Sequence, residues 1–155
     1  MVIVDKYVIN DSSMAIIPAK QIDYYSVVAE RNQVVYVRQT PLEIIKHSCL
    51  HYWSTYEGRK EAVIYHTGFK RKVPIPIDLE QEIITFPTHA IDDIDCSWIL
   101  YHQIINIISI KKNETKVLFD NGQSLNLKIS KHILLTQMKR SLEILHKIKR
   151  LKFSG

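Results

Sequence analysis

Short β-prone runs make up most of this chain, and few places in it carry the signals of a helix start. Runs rich in Val, Ile and Tyr occupy residues 2–9, 14–17, 24–29, 34–37, 82–87, 96–109, 116–119 and 123–129. Such residues fit a pleated, half-buried surface. Turn-formers separate several of them: Asn10-Asp11-Ser12-Ser13, Arg31-Asn32-Gln33 and Asp120-Asn121-Gly122. The last marks the clearest hairpin, because Asn121-Gly122 supplies the positive-φ residues of a tight turn. The pattern predicts a first hairpin of residues 2–9 against 14–17 and a second of 24–29 against 34–37. Residues 96–109 are nearly continuous in apolar side chains and read as the most buried strand.

Helix starts interrupt this rhythm. At Thr40-Pro41-Leu42-Glu43 the threonine can cap, proline fits the first helical position and Glu43 completes a capping box. The helix should run to about residue 53, with Leu42, Ile45, Cys49, Tyr52 and Tyr56 on one face and His47 and His51 opposite. Gly58 is expected to permit a break, residues 61–65 to form a short second helix, and Gly68 to end it. Residues 69–78 then read as extended, with Pro74 and Pro76 suited to an edge strand or arm. Ser130 is placed to cap a last helix over residues 131–151, with Leu134, Leu135, Met138, Leu142, Leu145 and Ile148 as its apolar stripe. The expected class is α+β: mostly antiparallel sheets, a central helix and a C-terminal amphipathic basic helix. One domain over residues 1–155 is expected, with β-rich parts at 1–38 and 82–129, a helix and basic clusters at 40–78, and the last helix at 131–152.

Several chemistries fit poorly. Two cysteines in 155 residues are too few for a disulfide framework, the N-terminus does not resemble a signal peptide, and the apolar runs are too short to cross a bilayer. These features predict a cytoplasmic protein with reduced thiols. His47-x-Cys49-x-His51 resembles a metal site or a nucleophile pair. On a helix Cys49 points away from both histidines; on a strand all three would share a face. A core cysteine between two surface histidines is the plainer reading, with a Cys49 enzyme as its rival. Asp92-Asp93-x-Asp95 lacks the glycine and distal glutamate of a calcium loop. With no phosphate-cradling loop, dinucleotide fingerprint or nucleophile elbow, no enzyme, cofactor or metal is expected.

Charge is the more informative signal. The net charge is +5, but residues 73–98 hold no Lys or Arg and six acids: Asp78, Glu80, Glu82, Asp92, Asp93 and Asp95. Arg59-Lys60 follow Gly58, Lys70-Arg71-Lys72 precede the extended segment, and the last helix carries Lys139, Arg140, Lys147 and Arg150. These nine residues are the candidate contacts to a polyanion, DNA above all. Solubilising charge on solvated loops would look the same, as would a protein-interaction module with separate acidic and basic faces. Membrane binding is disfavoured, because the polar face of the last helix has no aromatic anchor.

An ordered set of motifs runs along the chain. It begins weakly at Tyr7-Val8-Ile9-Asn10 and Ala15-Ile16-Ile17-Pro18. It strengthens at Pro41-Leu42-Glu43-Ile44-Ile45 and Ser48-Cys49, and is densest at Ser54-Thr55-Tyr56-Glu57-Gly58-Arg59-Lys60. It continues through Pro74-Ile75-Pro76-Ile77-Asp78, Phe86-Pro87-Thr88, Cys96-Ser97-Trp98-Ile99 and Asn121-Gly122. In these motifs the chain resembles the competence transcription factors of Gram-positive bacteria, the ComK family. The resemblance implies a cytoplasmic, nucleoid-associated activator of DNA-uptake and recombination genes. Such an activator would bind A/T-rich promoter boxes in double-stranded DNA through the minor groove, as a dimer or higher homo-oligomer, with RNA polymerase a candidate partner. Longer relatives carry a C-terminal tail that meets a proteolytic adaptor; nothing after Lys152-Phe153 matches it.

Overall fold

A computed structural model describes residues 1–154. Its elements alternate as the sequence pattern suggests. Strands β1 (Ile3–Val4), β2 (Ser13–Pro18), β3 (Ser26–Glu30) and β4 (Val34–Val37) come first. Helices α1 (Pro41–His51) and α2 (Tyr56–Thr67) follow, then β5 (Ile75–Asp78), β6 (Ile83–Pro87) and β7 (Trp98–Leu100). A 3₁₀ turn at Tyr101–Gln103 leads to β8 (Ile104–Lys111), β9 (Glu114–Phe119), β10 (Ser124–Leu127) and α3 (Lys131–Ser154). The architecture is α+β and its sheets are mostly antiparallel, as expected.

Seven strands form the larger sheet, in the order β1-β4-β3-β2-β7-β6-β5, and β10-β9-β8 form a smaller one. The larger sheet is covered on both faces. Ile16, Trp98, Leu100 and Ile77 join a core with Ile45 and Cys49 of α1 and Val63 of α2. Met14, Ala15, Phe86 and Ile99 join a second core with Ile107, Val117, Phe119 and Leu127 of the smaller sheet and Leu134 of α3. Along β7, Trp98 and Leu100 thus face one core and Ile99 the other, which is the period-two geometry of a strand. Burial on two sides is why the central strands lack the apolar–polar alternation of a sheet with one wet face.

The apolar run at residues 96–109 is not one strand. The 3₁₀ turn breaks it, and the chain leaves the larger sheet as β7 to enter the smaller one as β8. Only the first half is uniformly buried; in β8, Ile105, Ile108 and Ile110 are exposed. The expected first hairpin is also absent. β1 pairs in parallel with β4, so only the meander of β2, β3 and β4 is antiparallel there. Side chains stand in for a ladder where residues 7–9 run outside a strand: Tyr7 N–H donates to Gln39 Oε1 and Ile9 N–H to Ser48 Oγ.

The first helix starts as its capping box requires. Glu43 N–H donates to Thr40 Oγ1 at 3.3 Å, and Thr40 N–H to Glu43 Oε1 at 2.9 Å. The second helix corrects the expectation for Gly58, which breaks nothing. Thr55 caps α2 by accepting from Gly58 N–H at 2.9 Å, and a Cβ on Gly58 would meet that same hydroxyl at 2.9 Å. The glycine keeps the cap close, so Arg59 and Lys60 lie inside a helix rather than on a flexible loop. Gly68 ends α2 with φ 78°, the left-handed C′ geometry expected of it. Trp53 does not enter the core. It sits between α1 and α2 with φ 65° and is 97% exposed.

Candidate nucleic-acid interface

Helix α2 sorts the predicted cations into two groups, because adjacent helical residues point about 100° apart. On one side Lys60 lines an open groove of about 610 Å³ with Lys70, Arg71 and Lys72. Tyr56, Val73, Ala90 and Ile91 form its apolar floor, and Asp92 is the one acid at its edge. On the other side Arg59 lines a second cavity with Lys147 and Arg150 of α3. Lys139 is exposed on α3 and lines neither cavity.

The segment that carries Lys70, Arg71 and Lys72, which the sequence reads as the start of an extended stretch, is a fixed turn. Lys72 has φ 48°, a conformation that non-glycine residues rarely adopt. The turn is held from α3: Gln137 Nε2 donates to Lys72 O at 2.8 Å and Arg140 donates to Arg71 O at 2.7 Å. Arg140 also lies over the Phe69 ring, 4.5 Å from its centroid. These contacts set Arg140 apart from the other candidates. It is an anchor beneath the turn, and burial pulls its guanidinium down from its ordinary pKa. Of the two readings of residues 74–78, the edge strand holds: β5 is the outer strand of the larger sheet, with Pro74, Ile75 and Pro76 buried.

Among the described residues, charge pairing removes six cations from consideration but leaves Lys6, Lys111, Lys112, Lys116, Lys128 and Lys131 as unpaired as the nine candidates. Lys20, Arg31, Arg38, Lys46, Lys149 and Lys152 each pair with a carboxylate, all with exposed or partly exposed partners. Among the described residues, Arg59, Lys60, Lys70, Arg71, Lys72, Lys139, Arg140, Lys147 and Arg150 have no carboxylate within ion-pair distance. Glu143 and Lys147, at i, i+4 spacing on α3, make no ion pair among the described contacts. Cations without an internal partner keep their full charge for an outside anion.

The acidic stretch does not stand apart as a face of its own. Glu82 meets Lys149 at 3.6 Å and Lys152 at 3.5 Å, and Asp95 meets Lys20 at 3.3 Å. The α3 stripe also differs from expectation. Leu134, Gln137, Ser141, Ile144 and Ile148 are its buried line, while Leu135 and Leu142 are 41% and 40% exposed. Burial of two small or polar side chains, Gln137 and Ser141, rotates the packed face by part of a turn, and hydrophobicity alone cannot register that. Lys111, Lys112 and Lys116, around the β8–β9 hairpin, form a further exposed or half-exposed basic group that sequence reasoning missed. Lys111-Lys112 and Lys116 are close in sequence, but Glu114 between them makes the run look like an ordinary charged turn.

Cys49 is fully buried, and burial pushes its thiol from the ordinary 9.0 up to about 11, with Glu57 adding to the rise and Arg59 opposing it. A thiolate nucleophile needs the opposite shift. The thiol ionises more readily in the unfolded chain. Its contribution to stability is therefore complete below pH 9 and is lost as pH rises toward about 11. Denaturant midpoints measured across that window should fall faster for the native chain than for Cys49→Ala; parallel curves would show that Cys49 is not the group responsible.

Comparison with known proteins gives the family. The ComK protein family model matches residues 4–152. A competence transcription factor from Bacillus subtilis (strain 168) is 31% identical over 139 residues, covering 88% of this chain and 72% of the relative. No solved structure gives a significant match. The family match spans both sheets, all three helices and every cation of the interface, and so the chain belongs to the ComK protein family, as a transcriptional regulator of competence and not an enzyme.

Proposed function

We propose that this protein activates competence genes, those for DNA uptake and recombination, by binding A/T-rich promoter boxes through the minor groove. The observation that carries the reading is the groove where Lys60, Lys70, Arg71 and Lys72 converge without carboxylate partners. A/T runs narrow the minor groove and deepen its negative potential, which favours inserted Arg and Lys. The protein would act at the nucleoid in the cytoplasm, with RNA polymerase as a further partner. A mobility-shift titration on an A/T-box duplex and a scrambled duplex, at two salt concentrations, tests it. Tighter binding to the A/T duplex at both is expected; equal affinity for the two would remove the sequence-specific reading.

Dimer formation is part of the same proposal, and the β8 edge supports it. β8 is the outer strand of the smaller sheet, and Ile105, Ile108 and Ile110 on it are 59%, 42% and 40% exposed. An apolar edge strand is a template for a second strand; Ile107 N–H, which donates to Asn106 Oδ1, would change partner on pairing. Two copies of β8 in antiparallel register would satisfy one another about a two-fold axis. Ile108→Lys should leave the fold intact, since the side chain is part-exposed, and convert a dimer to a monomer in sedimentation. An unchanged sedimentation coefficient would move the dimer interface elsewhere.

A further inference from the structure

The cavity on the other side of α2 is built for a different anion from the groove beside Lys60. It lies between α2, β5 and α3 and encloses about 370 Å³. Ala62, Val63, Leu79, Ile144 and Ile148 give it an apolar wall. Arg59, His66, Lys147 and Arg150 border that wall, and no Asp or Glu lines it. Arg59 carries the most specific sign of a missing partner. Its Nε is buried, and among the described residues nothing accepts a hydrogen bond from it. Buried donors are almost always satisfied, so an orphan of this kind calls for an acceptor. A mostly apolar cleft with a few convergent polar groups is also the usual form of a small-molecule site.

We propose that this cavity binds a medium-chain aliphatic carboxylate. The tail would lie among Val63, Leu79, Ile144 and Ile148, and the carboxylate would accept from Arg59 and from Lys147 or Arg150. A guanidinium matches a carboxylate with two parallel hydrogen bonds; Nε is closed to the cavity as the side chain stands, so Arg59 turns toward the ligand for Nε to take part. Size sets the chain length. At about 30 Å³ for each water-sized group, the cavity holds roughly a dozen non-hydrogen atoms, the size of decanoate. A sugar–phosphate backbone has the charge but no apolar surface to lay against this wall. A neutral hydrocarbon has the surface but leaves Arg59 unmatched. Only an anion with an aliphatic tail answers both halves of the lining. The site does not depend on DNA binding, because occupancy is read without nucleic acid.

Calorimetric titration of the full chain with decanoate, below its micelle concentration, tests the proposal. Butyrate and decyltrimethylammonium serve as controls for the tail and the charge. Decanoate should saturate one site with Kd below about 1 mM, and each control should bind at least about tenfold more weakly. Ala62 is exposed at the rim, so Ala62→Trp blocks the mouth without entering the core. Arg59→Leu removes the charge and keeps much of the bulk. Each variant should weaken decanoate by at least about tenfold while retaining its far-ultraviolet circular dichroism. Absence of saturable decanoate binding, equal binding of either control, or unchanged binding in both variants would overturn the assignment. The comparison of the three ligands uses the native chain and stands even if a variant fails to fold.

Discussion

Replacing Lys70, Arg71 and Lys72 together by alanine should lower affinity for an A/T-box duplex by about two orders of magnitude. The three side chains extend from one turn, line one groove and have no internal carboxylate partner. A lost groove contact from Arg costs on the order of 1–3 kcal/mol. Three contacts at the low end of that range give about 3 kcal/mol, or roughly 150-fold. The same variant should reduce the slope of log affinity against log salt by about 3, since each phosphate-neutralising cation contributes about 0.9. Stability should change little, because the turn is held by its carbonyl groups and not by these side chains. A mobility-shift series at several salt concentrations measures both quantities. If affinity and slope stay at native values while Lys111→Ala and Lys112→Ala lower them, the DNA surface lies on the β8–β9 hairpin. Arg59→Ala gives an internal comparison: a smaller loss than Arg71→Ala is expected, since Arg59 points into the cavity on the other side of α2.

What could be read in advance divides along physical lines. Thr40 and Glu43, Gly68 and Asn121-Gly122 act through their own neighbours, and each stands where local chemistry places it. Gly58 misled because its absence of a side chain looks like freedom. Its reason is a single short distance to Thr55 Oγ1, set by the helix cap. The run at residues 96–109 misled because a sheet-to-sheet crossing keeps hydrophobicity constant while direction changes. The basic clusters were visible as residue types; their division between two cavities was not. That division depends on the angular position of Arg59 and Lys60 on α2 and on where α3 docks. Neither the Arg140–Phe69 contact nor the hold of Gln137 on Lys72 leaves any mark in the sequence, since partners 65 to 71 positions apart meet only in the fold.

Gln137→Leu should cost about 2–4 kcal/mol of stability. Gln137 is 1% exposed in the middle of a basic helix. Its Nε2 donates to Lys72 O at 2.8 Å and to Pro87 O at 2.8 Å, so one amide ties α3 both to the basic turn and to the end of β6. Its Oε1 accepts from Arg140 at 3.2 Å, which links the two anchors of the turn. Leucine has similar bulk and leaves no large cavity, but it supplies no donor. Pro87 O then loses its bond in a buried place, and Lys72 O keeps only the longer contact to Arg140 at 3.4 Å. The orphaned Pro87 carbonyl costs about 1–3 kcal/mol, and the lost bonds to Lys72 O and from Arg140 add about 1 kcal/mol. For a chain of this size that lowers the melting temperature by roughly 5–15 °C. Thermal denaturation followed by circular dichroism measures it, and a shift under about 2 °C would mean that the turn is not held from α3. DNA binding by the same variant separates anchoring from contact. Because the cations remain, the salt slope should stay native while affinity drops several-fold, as expected when a pre-ordered surface must be ordered on binding.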